Sequence, residues 1–125
     1  MKISLVSLPV KDPIAAFKFY TETLGFVERV YMPEAYLAIV ASPEEPNSTG
    51  VLLEPSDNPI TKPFQQAVYE QGMPIMVFGV EDCQQEYEKL RARGVEFRQE
   101  PTKTEVGTAA IFDDTCGNLI QIHQD

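Results

Sequence analysis

The feature that most limits how this chain can fold is a long internal repeat. Val10-Lys11-Asp12-Pro13 opens a stretch that runs through Phe17 and Tyr20 to Leu24-Gly25-Phe26, and Val80-Glu81-Asp82-Cys83 opens a second through Tyr87 and Leu90 to Arg93-Gly94-Val95. Val10 matches Val80, Asp12 matches Asp82, and Phe17 matches Tyr87; Gly25 matches Gly94 once the second helix is allowed to be one residue shorter. Each copy reads as strand, Asp, amphipathic helix closed by Gly, then more strand. Two copies are too few for a solenoid, which needs at least three units. The expectation is a single pseudo-symmetric domain of two related halves, with any site between them.

Local signals fill in each half. A strand over Ile3 to Val10 leads to Asp12 at an N-cap and Pro13 at the first helical position, where a missing N–H costs nothing. Ile14, Phe17, Tyr20 and Leu24 form an apolar stripe, and Gly25 ends the helix. Phe26 to Tyr31 and Ala35 to Ala41 read as paired strands around Met32-Pro33-Glu34, and Gly50 to Glu54 as the next strand. Residues 1–54 therefore make a first βαβββ unit. Residues 55–73 are a connector, helical from Lys62 to Gln71.

Residues 74–125 make the second unit. It has a strand over Pro74 to Val80 and a capping-box-like start at Asp82 and Gln85, with an apolar stripe of Cys83, Tyr87 and Leu90. Strands over Val95 to Arg98, Thr104 to Phe112 and Asn118 to His123 follow, the last two joined by Asp113-Asp114-Thr115-Cys116-Gly117.

Composition excludes several classes. A net charge of −9 opposes polyanion binding, because affinity for nucleic acid rests on Lys and Arg neutralising phosphates. Neither nucleic acid nor a membrane is an expected partner, and a weak preference for cationic or neutral ligands is allowed. Met1-Lys2-Ile3-Ser4-Leu5-Val6 is too short for a signal peptide, and no apolar run reaches the length of a membrane span. A cytoplasmic protein is expected. Cys83 and Cys116 follow no metal-ligand spacing and read as free thiols.

The segments Val10-Lys11-Asp12 and Phe19-Tyr20-Thr21-Glu22-Thr23-Leu24-Gly25-Phe26 resemble the vicinal oxygen chelate superfamily, which holds glyoxalase I, bleomycin-resistance proteins and extradiol dioxygenases. Asp82 through Gly94-Val95 is similar to it too, and Phe112 through Asn118 is similar to its F-x-D-P-D-G-N ending. The resemblance spans essentially the whole chain. It implies an α+β fold in which two pseudo-symmetric βαβββ units form curved, mainly antiparallel sheets, with ligands in a cup and helices outside.

In glyoxalase-like members, four inward side chains hold a divalent metal. Carried over by motif position, those places are Leu5, Glu54, Ile75 and Gln121, of which only Glu54 is a usual ligand. One carboxylate and one amide make a poor site for a hard or borderline cation, so no metal and no other cofactor is expected. Strand alternation puts His123, the only histidine, on the same face as Gln121. It also puts Leu52 and Glu54 on the cup face, with Val51 and Leu53 toward the helix. The expected ligand-binding set is Leu5, Glu54, Ile75, Val77, Gln121 and His123, with Glu54 the candidate catalytic group should there be a reaction.

Tyr31, Tyr36 and Phe64 are candidates for the cup's rim, while Phe17, Phe19, Tyr20 and Cys83 read as packing residues. The leading class is a metal-free small-molecule-binding protein of the bleomycin-resistance kind. The alternative is a lyase, isomerase or dioxygenase using Glu54 with Gln121 and His123. A third class is an accessory domain with a vestigial cup. A homodimer is expected, since open sheet edges and an apolar cup call for a cover.

Overall fold

A computed structural model describes all 125 residues, with eight strands in two mixed sheets and three helices. The chain divides into two compact units, Met1–Gln65 and Gln66–Asp125, each with its own four-stranded sheet.

In the first unit, β1 (Leu5–Val10) runs into Asp12, whose extended backbone lets its carboxylate accept the Ile14 N–H at 2.9 Å. That cap and Pro13 start α1 (Pro13–Lys18). A π-helical turn over Phe19–Thr23 follows, and Gly25, in the left-handed region at φ 91, turns the chain back. Next come β2 (Val27–Met32), a 3-10 turn over Pro33–Ala35, β3 (Leu37–Ala41) and β4 (Gly50–Pro55).

The sheet order is β1-β4-β3-β2, with β1 parallel to β4 and the other pairs antiparallel. Leu8, Val10, Ala38, Val40, Val51 and Leu53 are buried with Ala16 and Tyr20. Each such side chain removed from water contributes about 1.5–3 kcal/mol for a Leu or Val, more than a typical cap at about 1 kcal/mol. Ile14 is exposed, so the buried stripe is Pro13, Ala16 and Tyr20, with Phe17 half-buried.

The second unit repeats the plan. β5 (Pro74–Gly79) leads to Asp82, which accepts the Gln85 N–H at 3.0 Å and starts α3 (Cys83–Ala92); Gly94 ends it at φ 90. β6 (Phe97–Thr104), β7 (Gly107–Asp113) and β8 (Leu119–Gln124) complete a sheet of order β5-β8-β7-β6, again with one parallel pair, β5 with β8. Cys83, Leu90, Ala110, Phe112, Ile120 and Ile122 are its core.

Most boundaries fall within two residues of the sequence expectation, such as β3, which opens at Leu37 rather than Ala35; two differences go further. Thr104 ends β6 rather than opening β7, and Glu105-Val106 is the hairpin loop. β6 continues through Pro101 because it is an edge strand broken by two register shifts, where a missing ladder donor is tolerated. The second difference explains the unequal helix lengths. A π turn holds one residue more than an α turn, and the first unit has one, marked by Leu24 N–H bonding five residues back to the Phe19 carbonyl at 3.1 Å. The second unit's helix has none.

The loop from β7 to β8 is tied by a buried carboxylate. Asp114 Oδ1 accepts the N–H groups of Cys116 at 2.7 Å and Asn118 at 3.0 Å, and Oδ2 accepts the Asn118 side-chain amide at 2.9 Å. Both residues are essentially inaccessible to water. In sequence, β4 is followed by α2 (Thr61–Glu70), begun by Asn58, whose side-chain oxygen accepts from Ile60 and Thr61 N–H. No helix is long and apolar enough to cross a membrane.

The contrast between caps and the buried loop carboxylate is testable by urea unfolding. Asp114→Ala, which strands three buried donors, should lower stability by about 3 kcal/mol, whereas Asp82→Ala, an exposed cap, should cost about 1 kcal/mol. Equal losses would show that the loop is not held as described.

Candidate functional site

Each sheet has one face under the helix of its own repeat, α1 or α3, and one face free of that helix, which in the second unit Tyr69 of α2 meets at Asp113. In the first unit the register Leu5 to Gly50, Ser7 to Leu52 and Pro9 to Glu54 places these residues on the helix-free face, since Val51 and Leu53 are buried on the other. Ile39, paired with Leu52, joins them. Leu5 is 42% exposed, and Glu54 stands exposed at the strand end with no ion pair or side-chain hydrogen bond within the chain.

In the second unit Val77 pairs with Gln121 and Gly79 with His123, while Ile111 and Ala109 flank them from β7. Phe78, Ile120 and Ile122 belong to the opposite face. Val77 is 54% exposed; Gln121 is half-buried and its amide has no partner within the chain. Ile75 sits at a register irregularity between Pro74 and Met76 and has no residue directly opposite. His123 Nε2 lies 3.2 Å from Asp125 Oδ1, an ion pair only when the imidazole is protonated. Its ring lies close over Gly107, where a side chain would meet the ring at 3.0 Å.

Counted from Asp12 and Asp82, these registers align Gln121 with Leu52 and His123 with Glu54. Leu5 and Ile75 have no lone pair for a metal, and no three His, Cys, Asp or Glu side chains come together to hold one. The residues present do not fit the family's metal.

Among the aromatics, Tyr31 turns toward the helix side and stacks on Phe17, with ring centres 3.9 Å apart and planes within 5°. Tyr36 and Phe64 are exposed. Cys83 is buried; desolvation, then the nearby Asp82 charge, pushes its thiol above the ordinary cysteine value, away from nucleophilic use.

Sequence reasoning missed two arginines. Arg98, on β6, donates to Asp113 Oδ2 at 3.2 Å and to the Tyr69 hydroxyl, which itself donates to Asp113. The hydrogen bond to Asp113 raises the Tyr69 phenol above its usual value, and burial adds to this. Arg29, on β2, donates to the Ser48 carbonyl and reaches over Gly50 beside Leu5 and Ile39. The one available signal was Gly50 itself, since a glycine inside a strand marks close approach of another group.

The family model for the Glyoxalase/Bleomycin resistance protein/Dioxygenase superfamily matches residues 2–122. The chain belongs to this superfamily. It is 45% identical to the uncharacterized protein YurT of Bacillus subtilis strain 168, over 99% of both chains. Among solved structures it is similar to UcmS2, with a TM-score of 0.85 and 32% identity over 100% of this chain and 98% of that one. It is also similar to TnmS3, an antibiotic binding protein from Streptomyces sp. CB03234, with a TM-score of 0.75 and 25% identity over 99% and 95%. The Asp-capped, glycine-ended helices and the Asp114–Asn118 loop, the segments that carry the resemblance in sequence, are formed in the structure.

Proposed function

We propose that this protein binds a small molecule without a metal, against the helix-free faces of its sheets. The observation that carries the reading is the character of those faces. Apolar groups, Leu5, Leu52 and Ile39 in one unit and Val77 and Ile111 in the other, share these faces with polar groups whose hydrogen-bonding capacity is unspent, Glu54 in the first and Gln121 in the second. A few orienting polar groups on an apolar lining is what small-molecule sites look like. The likeness to an antibiotic binding protein supports the same class. Ile75 and His123 belong to the proposed ligand set, and a reducing, cytoplasmic setting fits two buried free thiols.

Glu54 is the group expected to orient the ligand. In a thermal-shift screen followed by titration, Glu54→Gln should weaken the best hit about tenfold or more while leaving the melting temperature near wild type, as expected for a hydrogen bond to a charged group. A change below about twofold for every hit would make Glu54 a bystander.

Elemental analysis of the purified protein should find far less than one equivalent of Zn, Ni, Mn or Fe. One equivalent, lost on Glu54→Ala, would instead favour the lyase or dioxygenase reading.

The reading also includes a twofold-symmetric homodimer. Each sheet has two edge strands, and Ile3, Leu5, Val6 and Val77 are exposed apolar groups that a second copy would cover. Light scattering should return twice the monomer mass of 14.0 kDa; the monomer mass across micromolar concentrations would reject the dimer.

A further inference from the structure

Arg29 and Arg98 are the same residue of the repeat. Gly25 and Gly94 end equivalent helices, and each arginine stands at the same step beyond its glycine. Both are bulged. Glu28 pairs with Val40 and Val30 with Ile39, so Arg29 is the extra residue of β2; Phe97 pairs with Phe112 and Gln99 with Ile111, so Arg98 is the extra residue of β6. A bulge re-aims the side chain it carries.

The two arginines differ in what they hold. Arg98 is paired with the carboxylate of Asp113. The registers of β3 and β4 and of β7 and β8 align Ile39 with Ile111, and therefore Ala41 with Asp113. Where the second unit supplies its arginine with an internal carboxylate, the first supplies a methyl group. Arg29 has no ion pair, and the Ser48 carbonyl is its one hydrogen-bond partner, which leaves most of its five donors unused.

Its position is also built. Nη1 lies 2.9 Å from where a Cβ on residue 50 would stand, with Leu5 Cδ2 and Ile39 Cγ2 each 3.0 Å from that point. Only glycine leaves the guanidinium that seat, among apolar side chains on the helix-free face. Glu54 lies on the same strand face four residues beyond Gly50, about 13 Å along the strand, and makes no ion pair with Arg29.

We propose that Arg29 is an oxyanion-recognition residue on the helix-free face of the first unit, taking a carboxylate or sulfonate of an otherwise apolar ligand in the way Arg98 takes Asp113. The inference deepens the ligand-binding reading above and rests on it. A planar guanidinium binds such groups with two parallel hydrogen bonds, and the exposed Arg29 side chain is open to a ligand. The protein's net charge of −9 repels anions in general, so a preference for an anionic ligand has to come from a local cation of this kind.

The test uses two fluorescent probes that differ chiefly by one charged group, 1-anilinonaphthalene-8-sulfonate and its neutral counterpart N-phenyl-1-naphthylamine. Wild type should bind both. Arg29→Met should weaken the sulfonate about tenfold or more and leave the neutral probe unchanged, the size expected for a charge-assisted hydrogen bond. Gly50→Ala, whose Cβ would stand 2.9 Å from Arg29 Nη1, should weaken the sulfonate more than the neutral probe and serves where Arg29→Met folds poorly. Lys11→Met, which removes the same charge elsewhere, should change neither. Neutral-probe binding with a sulfonate affinity indifferent to Arg29 and Gly50 overturns the inference and leaves the ligand-binding reading standing. Failure of wild type to bind either probe overturns both.

Discussion

The parallel pairing of each unit's first strand with its last is the constraint on which the rest depends. β1 lies beside β4 and β5 beside β8, so the start and end of each unit are hydrogen-bonded neighbours even though a helix and two strands separate them in sequence. A parallel pair needs a long crossover, and the Asp-capped, Gly-ended helix is part of it. Register follows from the pairing, and register decides which alternate residues meet the helix. Slipping either pair by one residue would send Leu53 or Ile122 to the solvent side and Glu54 or Gln121 into the core.

Much of this was legible in the sequence because it is enforced locally. Asp12 and Asp82 cap, Gly25 and Gly94 reverse, and alternation puts Val51 and Leu53 under the helix; each effect acts within a few residues and leaves a mark on composition. What escaped depends on partners distant in sequence or on a single extra residue. The Tyr31 ring goes under α1 rather than to a rim because the bulge at Arg29 shifts the phase of β2, and a bulge has no reliable residue signature. The pairing of Arg98 with Asp113 and Tyr69 joins three elements that no spacing rule connects. The inferred metal positions came from motif alignment, while the alignment of Glu54 with His123 comes only from the observed strand register.

The two halves share a scaffold but divide its chemistry. The second unit has committed its polar groups inward: Asp114 ties the last loop, Asp113 and Arg98 secure Tyr69 of α2, and Gln124 accepts the N–H of Cys83 at 2.8 Å. The first unit has fewer such ties, and Arg29 and Glu54 stand without ionic partners on its open face. Polar groups used for architecture are costly to change, because each one removed leaves a partner stranded. Those not so used are free to answer to a ligand.

The π turn at Phe19–Thr23 bears on how such a pair of halves can drift apart. Its surplus residue is absorbed in the helix's own hydrogen-bond ladder, with the Thr21 hydroxyl covering the Phe17 carbonyl at 2.7 Å, and the chain still leaves through a left-handed glycine like its counterpart. Nothing downstream has to move. A length change of one residue, which in a strand would exchange inside for outside, is invisible here to the sheet. The helix works as a slack joint, through which either copy can gain or lose a residue while its strands keep their phase.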